Sequence, residues 1–138
     1  MNHSIEKNEQ YALIRLTESE FSGEVPVQFE TATRSLIREG HSNLIVDLAT
    51  VKTVDLAGLA SIRKINRQCS NELGMLVLVS KDDDLIEQLE GTNIADLTVL
   101  PTVEEAIDAV FMNELENDFR EDDDEYDGEY GAGTEPEP

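Results

Sequence analysis

The sequence contains one cysteine, no tryptophan and two histidines in 138 residues. Each scarcity narrows the field. A single cysteine, Cys69, cannot close an internal disulfide, so the fold must be held by its core. The histidines, His3 and His41, do not sit near a nucleophile in any recognisable pattern. There is no GxSxG elbow, no phosphate-binding loop and no dinucleotide fingerprint, so catalysis has little support and no cofactor is implied. No apolar run reaches the ~18 residues that a membrane-spanning helix needs. The first residues carry Glu6, Glu9 and Glu18 and lack the basic stretch and apolar segment of a secretion signal. A cytoplasmic protein is the expectation. Basic residues are scarcest of all relative to their opposites, 10 against 31 acidic, for a net charge of −21. Nucleic acid and anionic membrane both need a basic footprint, so neither is an expected partner.

The charge is unevenly spread. Residues 113–138 hold 12 acidic residues against Arg120, a net of −11, which leaves −10 for the other 112. Apolar periodicity stops past Asn113, and the Asp/Glu/Gly/Pro composition there predicts a disordered acidic tail. The division is therefore a domain over 1–112 and a tail over 113–138. In the tail, Asp123, Glu125, Asp127 and Gly128 partly match a calcium loop. Glu125 at the third position, Thr134 at the twelfth and the lack of a following helix argue against a metal site.

Within the domain, strand and helix signals alternate. Residues 11–16 read as a strand. Pro26 suits the first turn of a helix whose apolar stripe is Val27, Phe29, Ala32, Leu36 and Ile37, stopped by Gly40. Residues 43–48 are a short apolar run of the kind expected in a strand buried on both faces. A polar link, 49–53, follows. Asp55 is placed to cap a second helix carrying Leu59, Ile62, Ile65 and Cys69, ending at Gly74. Residues 75–79 form another buried strand. Ser80 can cap a third helix with Leu85, Ile86 and Leu89. After a short strand at 97–100, Thr102 and Glu105 form a capping box for a last helix with Val103, Ala106, Ile107, Val110 and Phe111. Residues 4–7 add an edge strand. This alternation predicts an α/β fold, a single mostly parallel sheet with helices packed on it.

Four segments in order resemble a STAS domain of the anti-sigma factor antagonist type. They are the strand Leu44-Ile45-Val46-Asp47-Leu48, the junction Val54-Asp55-Leu56-Ala57-Gly58-Leu59, the strand Leu76-Val77-Leu78-Val79, and Thr102-Val103-Glu104-Glu105-Ala106-Ile107. The resemblance spans residues 10–112. It implies a protein-interaction module of bacterial signalling, not an enzyme, whose partner is an anti-sigma factor or related serine kinase. It also implies a phosphorylation switch. In such antagonists the junction reads aspartate, serine, serine, glycine, leucine, and the second serine takes the phosphate. Added charge of about −2 inside the contact then weakens the complex. Here the two serine positions are Leu56 and Ala57. Alanine has no hydroxyl, so that switch is missing. Residues 17–25 also lack the aspartate-rich entry of the family.

The expected partner-binding residues are Asp55, Leu56, Ala57, Gly58 and Ser61. Asp55 serves as a helix cap or orients a partner. Leu56 either points outward as an anchor or packs inward. Gly58 either permits close approach at the contact or is simply tolerated near a helix start. Ser61, one turn after Ala57, is the candidate substitute phosphoacceptor, with Thr53 and Ser70 behind it. Arg63, Lys64 and Arg67 form either a solvated face or a meeting point for an acidic partner or the chain's own tail. Cys69 lies on the apolar stripe and is expected in the core. A monomer or weak dimer is expected. The alternative functions are a STAS-type accessory subunit of a membrane-transport ATPase and, from a different class, a nucleotide-binding protein or enzyme.

Overall fold

The runs Leu44-Ile45-Val46 and Leu76-Val77-Leu78 have no polar residue to turn toward water, and both become strands buried on both faces. The computed structural model describes the backbone of residues 1–129 and the side-chain surroundings of residues 1–118. In chain order the elements are β1 (His3–Lys7), β2 (Ala12–Leu16), β3 (Glu20–Phe21), α1 (Val25–Arg38), β4 (Asn43–Asp47), β5 (Thr53–Val54), α2 (Leu56–Asn71), β6 (Met75–Val79), α3 (Asp83–Glu90), β7 (Thr98–Leu100) and α4 (Val103–Glu129). Five strands make one sheet in the order β1-β2-β4-β6-β7. Only β1 is antiparallel to its neighbour. The α/β expectation holds, edge strand included.

Alternation along the strands sorts the core into two layers. Ala12, Ile14, Leu44, Val46, Leu76 and Leu78 face α1, α2 and α3, meeting Phe29, Leu36, Ile62, Ile65, Leu85 and Leu89. Leu13, Ile45, Val77 and Val79 face the opposite way and meet Ala106 and Val110 of α4. Three helices thus cover one face and a single helix covers the other. Cys69 is fully buried, as expected, and burial pushes its thiol up to about 12.

Several local expectations shift. The buried residues of α1 are Pro26, Phe29, Thr33 and Leu36, while Val27 is 68% exposed. Thr33 can be buried because its hydroxyl donates to the Phe29 carbonyl at 2.7 Å. The link before α2 is not merely polar. Val51 is fully buried, and β5 pairs in parallel with β3, Glu20 with Thr53 and Phe21 with Val54. The cap of α3 is Asp82, not Ser80. Its carboxylate accepts from the Leu85 N–H at 2.9 Å, while Ser80 Oγ accepts from Asp82 N–H one step earlier. The Leu85 N–H and the Lys52 ammonium together hold the Asp82 carboxyl below its ordinary value. Helix α4 runs across the expected boundary at 112/113, and Asn113 and Asn117 both bond the body. Residues 130–138 of the expected tail lie outside the described residues, as do the side chains of Asp123, Glu125 and Asp127. Among the described residues no helix is long and apolar enough to cross a membrane.

Candidate functional site

The entry to α2 is clamped from beneath. The Lys52 N–H donates to the Ser19 carbonyl at 2.8 Å, and the Asp55 N–H to the Phe21 carbonyl at 3.2 Å. Thr50 Oγ1 lies within hydrogen-bond distance of the Leu16 carbonyl (3.0 Å) and the Glu18 carbonyl (2.9 Å), and the Val54 N–H donates to Gln88 Oε1 at 3.2 Å. Phe21 stacks edge-on against Phe29, ring centres 5.1 Å apart. These bonds fix where the helix begins.

Asp55 is the cap. Its backbone is extended and its carboxylate accepts from the Gly58 N–H at 2.7 Å. Gly58 is needed for the fold. A methyl group there would sit 2.6 Å from the Phe21 ring and carbonyl and 2.7 Å from Val54 Cγ2. Its close approach is to its own chain, not to a visitor. Between these two structural residues stand Leu56 and Ala57, both exposed, Leu56 at 84%. Leu56 therefore points outward.

Ser61 does not join them. It is 2% exposed, wedged between α1 and α2, with its hydroxyl on the Pro26 carbonyl at 3.4 Å and on Glu30 Oε2. The face expected to run from Ala57 to Ser61 is cut off because α1 packs alongside α2 and covers its second turn. Thr53 and Ser70 are exposed. One apolar residue went unnoticed in the sequence. Val27 protrudes from the first turn of α1, at the same carboxyl end of the sheet. Its place in an apparent core stripe hid it.

A cavity of about 830 Å³ lies between the strand ends and α4. Its charges largely answer one another, Arg15 with Asp47 at 3.0 Å and Lys52 with Asp82 at 3.2 Å. At residues 55–58 no hydroxyl, thiol or imidazole is presented, and the one carboxylate, Asp55, is engaged by the Gly58 N–H as the helix cap. What the turn presents is an apolar step on a rigid base. The chain belongs to the STAS domain family, whose model matches residues 3–106.

Solved structures share the fold. An anti-sigma factor antagonist from Mycobacterium paratuberculosis matches at 17% identity, covering 79% of this chain and 92% of that one, with a TM-score of 0.69. The anti-sigma factor antagonist SpoIIAA of Bacillus, in its unphosphorylated form, matches at 19% identity over 79% and 97% of the two chains, TM-score 0.64. The murine anion transporter Slc26a9 matches at 14% identity over 78% of this chain and 18% of its own, TM-score 0.61. Comparison with curated protein sequences found no significant match.

Proposed function

We propose that the protein is a non-enzymatic interaction module of bacterial signalling that engages an anti-sigma factor or related serine kinase through the first turn of α2, and that phosphate at residue 57 plays no part in its release. The observation that carries this reading is the exposed pair Leu56 and Ala57 on a clamped helix entry. Leucine at 84% exposure gains ~1.5–3 kcal/mol if a partner buries it, enough to anchor a contact. Antagonists of known fold support the partner class. Ser61 is a poor substitute acceptor, because a kinase would have to part α1 from α2 to reach its hydroxyl. Control then rests on abundance, on competition, or on another residue.

The test starts with the full chain as bait in its native cytosol, followed by titration of the captured partner against variants. Ala57→Asp places charge where the family's switch would place it, and it should abolish capture. Leu56→Ser should weaken binding by tenfold or more, the size of a typical anchor residue. If both variants bind as tightly as the parent, the contact lies elsewhere. The same fold is part of an anion transporter chain, which keeps the ATPase-subunit reading alive. Capture of a membrane-transport ATPase in place of a kinase would decide for it.

A further inference from the structure

Seven large apolar side chains are exposed among the described residues, and three of them fall together on one helix. They are Phe111, Met112 and Leu115 of α4, at 42%, 59% and 54%. Phe111 completes an apparent core stripe in the sequence, yet it and its two neighbours belong to neither layer of the core. A helix turns about 100° per residue. Counted from the buried Val110, the residues Phe111, Leu115 and Met112 stand at about 100°, 140° and 200°, one patch turned away from the sheet. Apolar residues exposed singly are ordinary, whereas a contiguous group marks a contact.

Acids ring this patch. Asp108 comes one turn before Phe111 and Met112, Glu116 one turn after Met112, and Asp118 one turn after Leu115, the spacings at which helix neighbours meet. All three acids are exposed. The helix dipole accounts for Glu104 and Glu105, but it fades beyond the first turn. Asp108 and Asp118 hold no ion pair among the described residues. Asp108 follows Glu104, and Asp118 follows Glu114, at the i,i+4 spacing where like charges weaken a helix. Residues 103–118 include no lysine, arginine or histidine. Core packing, the dipole and side-chain pairing thus leave both the patch and its rim unexplained.

We propose that the outer face of α4 is a second docking surface, whose occupant is a basic amphipathic helix of a partner protein. That helix lays its apolar side on Phe111, Met112 and Leu115 and sets its lysines or arginines against Asp108, Glu116 and Asp118. An apolar centre with a polar rim is the usual anatomy of an interface. Charge selects this occupant over the others. A second copy brings the same net −21 and the same acids. The chain's own residues 130–138 carry Glu135 and Glu137 and no base. Anionic membrane is repelled in the same way. From Asp108 to Asp118 the face runs about 15 Å, so about three turns of a partner helix cover it. Helix α4 lies across the sheet from α2. The patch is therefore independent of the contact at Leu56, and both can be filled at once.

Fluorescence anisotropy tests this with a labelled synthetic peptide of lysine and leucine, about 18 residues or 27 Å of helix. One version has an amphipathic order and the other a scrambled order of the same composition. The full chain should bind the amphipathic peptide at least about tenfold more tightly than the scrambled one. On isotope-enriched protein the amides that shift should be those of residues 104–118. Phe111→Ser with Leu115→Ser should remove the preference while thermal unfolding stays as in the parent. Asp108→Asn with Asp118→Asn should weaken binding of the amphipathic peptide and flatten its salt dependence. Ile5→Ser removes an exposed apolar side chain from β1 and should change nothing. Equal affinity for the scrambled peptide overturns the proposal as unspecific charge attraction. So do shifts centred off α4, or a preference that survives the paired Phe111 and Leu115 substitutions. Sedimentation of the free chain as a dimer that those substitutions break overturns it in favour of a second copy. Uptake by phosphatidylcholine vesicles that they abolish overturns it in favour of lipid.

Discussion

Helices α2 and α4 leave the same end of the sheet by the same device and then present opposite surfaces. Each has a side-chain cap on the third N–H of its first turn, Asp55 to Gly58 at 2.7 Å and Thr102 to Glu105 at 3.1 Å. Beyond the cap, α4 places Glu104 and Glu105 where the helix dipole favours acids, and α3 does the same with Asp83 and Asp84. The first turn of α2 has no acid at all, in a chain with 31 of them. The difference separates two demands on a helix entry. Stability alone explains α3 and α4. In the first turn of α2, Asp55 and Gly58 serve the fold, while Leu56 and Ala57 are exposed.

The largest effect should come from Gly58. Gly58→Ala forces a methyl group against Phe21 and Val54, an overpacking that costs ~1–3 kcal/mol. Improved helix propensity returns ~1 kcal/mol of that at most. Glu105→Ala, at the matching position of α4, should stay within ~0.5 kcal/mol. Urea unfolding measures both. Thiol labelling of Cys69 adds a second reading, since a buried thiol pushed up to about 12 reacts only when the fold opens. A Gly58→Ala chain as stable as the parent would break the claim that this turn is clamped.

Next come the caps. Asp55→Ala and Thr102→Ala should each cost about 1 kcal/mol in thermal unfolding. A much larger loss for Asp55 would mean that it does more than cap. Smaller still, and opposite in sign, Ala57→Asp should stabilise the fold by ~0.3–1 kcal/mol by supplying the missing acid. Destabilisation there would show that residue 57 is not free in the folded chain. Smallest of all, Leu56→Ser should shift stability by less than ~0.5 kcal/mol, as for a side chain that packs on nothing. A loss above ~1 kcal/mol would place Leu56 in the core and end the comparison.

Much of the fold was legible because its signals are local. The buried strands are built on short apolar runs, and Thr102 caps α4 as expected, its hydroxyl accepting from the Glu105 N–H and donating to the Glu105 carboxylate, each at 3.1 Å. The β3–β5 ladder was not legible. Two-residue strands have no periodicity, and Glu20-Phe21 pairs with Thr53-Val54 only once α2 and the sheet bring them together. Ser80 and Asp82 are both capping residues two positions apart, and only the path of the chain decides between them. Of the candidate site, Asp55 announced itself by type and place. The outward turn of Leu56 and the burial of Ser61 depend on where α1 lies, which no spacing within α2 encodes.

The sheet's second face rests on one helix. Ala106 and Val110 are its fully buried side chains there, and with the half-buried Val103, Ile107 and Ala109 beside them they cover Leu13, Ile45, Val77 and Val79. Lifting α4 should therefore cost less than any opening that disturbs the three-helix side. Amides of α4 should trade their protons for deuterium well before those of β4 and β6. In that opened form a strip of branched apolar side chains faces solvent, the kind of surface that makes proteins clump. The detached helix carries Glu114, Glu116 and Asp118 with it, so neighbouring molecules repel one another while the strip is bare. The chain's surplus of acid thus doubles as protection during its own breathing.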